Sequence, residues 1–186
     1  MIDMIDISKQ AHATALSKGW YDANRPVELP KRLDPEVRRY IERLEQRNVG
    51  EALMLICTEV TEALIDYECG DIKLRFDERA KPIGLPSELA DVVIRIGDLL
   101  GYLGIELDPE IDVDYPSVED AFLDMFSSAS HSCEMARGGA PIHGGLRRIV
   151  LACEWVSKEL GVDLTGAIEA KMAYNATRPR KHGKAF

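Results

Sequence analysis

Ser87-Glu88-Leu89-Ala90-Asp91-Val92-Val93-Ile94-Arg95-Ile96-Gly97-Asp98-Leu99-Leu100 is the stretch on which the fold turns. Leu89, Val92, Val93, Ile96, Leu99, Leu100 and Leu103 recur at helical spacing and form one apolar stripe. Glu88 and Asp91 flank that stripe. Their three-residue step stacks one carboxylate a turn above the other. Upstream, Glu51 to Tyr67 repeats the arrangement, with Leu53, Ile56, Val60, Ala63, Leu64 and Tyr67 as the stripe and Glu59 and Glu62 beside it. Two helices with the same offset can meet along their stripes and aim both acid pairs into one groove.

The remaining segments punctuate into further helices. Ile5 to Lys18 runs without Gly or Pro until Gly19, and Asn24 to Pro30 is a loop. Asp34-Pro35-Glu36 starts a charged helix to about Arg47. Gly70 is placed to end the first acid-bearing helix, and Asp71 to Pro86 is a polar connection with a short helical piece. Ser87 is placed to cap the second, and Gly104 to end it. After an acidic linker (Pro109 to Pro116), Ser117-Val118-Glu119-Asp120 opens a helix to about Arg137. Arg137 to Gly145 reads as a flexible loop. Leu146 to Leu160 and Leu164 to about Tyr174 read as the last two helices, before a basic tail from Thr177. No long segment alternates with a strand period, so the expected fold is an all-α helical bundle.

Composition bounds the partners. The chain has 186 residues, 46% of them hydrophobic and 30% charged, with a formal net charge of −9. That is enough for one domain with a sizeable core. The acidic balance argues against a surface built for nucleic acid. Cys57, Cys69, Cys133 and Cys153 are widely spaced, with no CxxC pair, and read as reduced thiols. The first residues lack a basic, then apolar, leader pattern, and no apolar run is long enough to span a bilayer. The expectation is a cytoplasmic protein with no membrane partner.

Acid pairs on helices are commonly solvated surface. Here Glu59 and Glu62 have no cation at the fourth residue, where Ala63 and Asp66 stand instead. Both pairs border an apolar stripe, and they fall on successive helices. Arg95 stands four residues after Asp91, so that acid has a surface ion pair as its alternative. None of the four histidines follows a Glu by three, which argues against the Glu-x-x-His pattern of di-iron bundles. An all-oxygen set suits Mg²⁺, with Mn²⁺ also fitting, and such ions are usually shared with phosphate. Metal-assisted hydrolysis of a phosphate ester or anhydride is the chemistry to expect.

"LMLICTEVTEALIDYECGD", "SELADVVIRIGDLLGYLGIEL" and "IEAKMAYNATRPRKHGKAF", together with "AHATALSKGWYD" near the start, resemble the MazG-like all-α nucleoside triphosphate pyrophosphohydrolases. That family pairs ExxE on one helix with ExxD on the next, and Glu59, Glu62, Glu88 and Asp91 match it position by position. The likeness spans most of the chain except about Asp112 to Gly145, which reads as an insertion carrying an inserted helix. It implies Mg²⁺-dependent cleavage between the α and β phosphates of a nucleoside triphosphate, with the four acids as metal ligands. Glu62 or Glu88 would also act on the attacking water. It further implies a homodimer or homotetramer.

Lys171 and Asn175 lie one turn apart with Arg178 following, so they could offer donors to the phosphates. Trp20, in a break between helices, could stack on a base, with a core or interface position as its alternative. Tyr174 is a weaker candidate for the same contact. A dUTP- or dCTP-preferring relative is the neighbouring possibility. A non-catalytic helical bundle that binds a nucleotide or a protein is the reading from another class.

Overall fold

The structure is a computed structural model, and it describes residues 2–21, 48–107 and 112–179. Among these residues it has six helices and one short hairpin. They are α1 (Met4–Ser17), α2 (Val49–Glu68), β1 (Arg75–Phe76), β2 (Pro82–Ile83), α3 (Leu85–Leu103), α4 (Val118–Arg137), α5 (His143–Glu159) and α6 (Leu164–Thr177). The all-α expectation holds. The helix expected from Asp34 to Arg47, the Asn24 to Pro30 loop and the tail beyond Pro179 lie outside the described residues.

α3 is the hub. α1, α2 and α6 pack along it, α5 touches it, and α4 lies against α2 and α5. The stripe read in the sequence is the reason: Leu89, Val92, Val93, Ile96 and Leu99 are completely buried, and the structure adds Leu85 one turn ahead of them. Burying each such side chain is worth roughly 1.5–3 kcal/mol. α2 contributes Leu53, Ile56, Val60 and Ala63 to the same core. The segment read as an insertion contributes α4, whose Phe122, Met125 and Ala129 join that core.

Three local readings need correction. Ser87 does not cap α3, which begins at Leu85 with Gly84 as its N-cap. Gly84 has φ 93°, and a Cβ there would stand 2.4 Å from the Lys73 carbonyl oxygen, so glycine alone lets the chain turn from β2 into the helix. The Asp71 to Pro86 connection holds a hairpin, not a helical piece, with Arg75 opposite Ile83 and Phe76 opposite Pro82. Its turn is organised by the Asp77 carboxylate, which accepts from the backbone N–H groups of Arg79 and Lys81, both at 2.8 Å. Finally, α5 starts at His143, so the loop after α4 is shorter than expected. Gly145 is helical, and a Cβ there would meet Ser132 Oγ at 2.1 Å, so this glycine serves the close approach of α5 to α4.

The expected capping by Ser117 is present: its Oγ accepts from the Asp120 N–H at 3.2 Å. No described helix is long and apolar enough to cross a membrane.

Candidate metal centre

α2 and α3 meet along their stripes, and that contact sets the geometry of the acids. Glu59, Glu88 and Asp91 each offer a carboxylate oxygen, and these oxygens lie within 4.8 Å of one another. Glu59 and Glu88 are buried, and Asp91 is half-buried. Opposite ligands around a hard cation with bonds of about 2.1 Å are about 4.2 Å apart, so the spread is close to that of a single-ion site. The donor set is all oxygen, as Mg²⁺ or Mn²⁺ prefers. Glu62, one turn along α2 from Glu59, is exposed and lies outside this group of three.

Two cations reach into the cluster. Lys171 on α6 is 2% exposed, and its Nζ sits 2.7 Å from Asp91 Oδ2 and 4.0 Å from Glu88 Oε1. The same ammonium donates to Ser87 Oγ at 2.7 Å, and Ser87 in turn donates to the Pro82 carbonyl at 2.8 Å. Thus β2, α3 and α6 are tied through one lysine. Arg95 pairs with Glu59 across the α2–α3 seam, with Nε and Nη2 each 2.5 Å from Oε1. Sequence spacing offers Asp91 as its partner, but that carboxylate is taken by Lys171.

Burial pushes the Glu88 carboxyl up to about 7 from 4.5. The Lys171 ammonium opposes this shift, while the carboxylates of Asp91, Glu59 and Glu62 add to it. Glu59 is raised by the same cause, opposed by Arg95 and reinforced by Asp91 and Glu62. A stability slope follows in the metal-free protein. Between pH 4.5 and about 7 folded Glu88 keeps a proton that the unfolded chain has lost. The contribution of Glu88 to stability is therefore fully present below the lower value and is lost as pH rises through the upper one. In chelator, the urea midpoint of the wild type is expected to drop from about pH 5 to about pH 8, and that of Glu88→Gln to drop less. Equal slopes would show that Glu88 does not titrate in this range.

The remaining substrate candidates sit along α6 and at the end of α1. Tyr174 and Asn175 continue α6 beyond Lys171, and Arg178 is the extended residue that caps its end. The Arg178 guanidinium carbon lies 5.9 Å from the Tyr174 ring centroid, within cation–π range. Lys18 Nζ donates to the Ala176 carbonyl at 2.7 Å, which brings the end of α1 to the end of α6. Trp20, two residues past Lys18, is 42% exposed there and is not a core residue. Of the five non-acidic candidates, Lys171 alone is bonded to the acid cluster among the described contacts.

Sequence reasoning missed a second polar knot on α3. His12 Nδ1 is 2.9 Å from Asp98 Oδ1, and the Tyr21 hydroxyl donates to that oxygen at 2.7 Å. Asp98 lies seven residues after Asp91, on the same helical face, which is the signal that could have found it. Trp155 donates from Nε1 to Asp114 Oδ1 at 3.2 Å and stacks edge-on against Tyr115. It lines a cleft of about 330 Å³ with Asp114 to Val118, Lys158 and Glu159, and no acid of the cluster contributes to it.

No protein-family model, no curated protein and no solved structure matches the chain.

Proposed function

We propose that the chain is a Mg²⁺-dependent nucleoside triphosphate pyrophosphohydrolase of the MazG-like all-α type, releasing nucleoside monophosphate and pyrophosphate. One observation carries this reading: the oxygens of Glu59, Glu88 and Asp91, from two successive helices, converge within 4.8 Å at a buried seam. Those three acids would hold the cation. Glu62, exposed one turn away, would complete the set or orient water, a role it shares with Glu88. Mg²⁺ held there would polarise a phosphoryl oxygen and activate a water. Lys171, Asn175 and Arg178 would face the phosphates, and Trp20 or Tyr174 the base. Exposed Met54, Leu55 and Ile65 on α2 support self-association as a homodimer or homotetramer.

A second reading is favoured by a specific observation. Asp91 and Glu59 are already paired with Lys171 and Arg95, as in a bundle that uses its acids only to join helices. A screen of canonical and damaged nucleoside triphosphates for pyrophosphate release, with and without Mg²⁺, decides between them. The enzyme reading expects release with at least one nucleotide in Mg²⁺ and none in chelator. A preference for dUTP or dCTP in that panel would select the narrower relative, and no release with any nucleotide would leave the structural bundle.

A further inference from the structure

Arg95 has no part in the enzyme reading above, yet it occupies one of its acids. Two of its nitrogens crowd a single oxygen of Glu59, each at 2.5 Å. The two resident cations differ in freedom: the Lys171 side chain is 3% exposed, whereas that of Arg95 is 39% exposed. A guanidinium at the rim can be hydrated as it turns away, but a sealed ammonium cannot leave without uncovering the seam.

We propose that Arg95 is the exchangeable counter-ion of this centre. The Arg95–Glu59 pair and a divalent cation on Glu59 exclude one another, and binding of the ion frees the guanidinium for an anionic group of the ligand that accompanies it. The inference rests on the reading of the three acids as a divalent-cation site. A dication on the oxygen that Arg95 holds would lie about 4 Å from the guanidinium, where like charges repel strongly even with surface screening. Once released, the guanidinium is a planar fork suited to two phosphate oxygens. Arg95 stands one turn along α3 from Asp91, one of the three acids that would hold the ion.

The test uses the full chain and Mn²⁺ alone, with free Mn²⁺ read by electron paramagnetic resonance. Arg95→Gln is expected to bind Mn²⁺ about tenfold more tightly than the wild type, and Arg95→Lys, with its single ammonium, to fall between the two. With Mn²⁺ saturating, Arg95→Gln should bind a non-hydrolysable nucleoside triphosphate about tenfold more weakly. A merely structural arginine would not move the two affinities in opposite directions. Melting curves in chelator report whether each variant is folded, and the lysine variant decides if the glutamine variant is not. A wild type that binds Mn²⁺, with folded variants that bind it no more tightly, overturns the exchange and leaves the cation site standing. Absence of Mn²⁺ binding in wild type and variants alike overturns both.

Discussion

Alanine at Glu59, Glu88 or Asp91 is expected to lower Mg²⁺-dependent pyrophosphate release by at least about a hundredfold while leaving the far-ultraviolet circular dichroism unchanged. Loss of a group that only supports a metal ligand typically costs 10–100-fold, so loss of a ligand itself should cost about as much or more. The helices should survive, because the fully buried Leu89, Val92, Val93 and Ile96 hold α3 in place regardless of the acids. Glu62→Ala is expected to lose less, since Glu62 is exposed and lies outside the convergent group. Near-normal turnover in the first three variants, assayed by pyrophosphate release, would reject the metal centre. A loss in Glu62→Ala equal to theirs would show that the fourth acid swings in to serve as a full ligand.

How much of this was readable beforehand depends on the kind of signal. The α2–α3 seam was legible because one periodicity carries two facts, which face is buried and where the acids stand relative to it. Apolar stripes with equal offsets leave the helices little choice of rotation. The partners of the acids were not legible in the same way. Arg95 stands four residues from Asp91 yet bonds Glu59 on another helix, because Lys171 arrives from α6 and takes Asp91 first. Such competition among three elements leaves no local trace. The hairpin was hidden for a simpler reason: two residues per strand give no alternation to see. Ser87 looked like a cap because serine before an acid usually is one. The positive φ of Gly84 moved the start of α3 upstream and released that hydroxyl to bond Pro82 and Lys171.

Lys171→Met separates a cation site from a structural knot more sharply than any loss of activity. Methionine keeps the unbranched apolar stem up to Cε but loses the ammonium that faces Asp91 at 2.7 Å and Glu88 at 4.0 Å. Removing one partner of a buried pair leaves an uncompensated charge, at a cost of about 3 kcal/mol. In chelator, the urea midpoint of the variant is therefore expected to fall well below that of the wild type. Glu88 softens the loss by holding a proton near neutral pH, so the gap should widen in alkaline buffer. Mg²⁺ then distinguishes the two readings. Where the acids form a site, the ion replaces the missing charge, and at about a hundred times its dissociation constant it returns about 2.7 kcal/mol, nearly the whole deficit. Where the acids only join helices, Mg²⁺ at the same concentration leaves the midpoint of the variant unchanged. Rescue by Mg²⁺ or Mn²⁺ but not by an equal ionic strength of NaCl excludes general screening, because a monovalent salt weakens surface charge interactions without filling an oxygen-lined pocket.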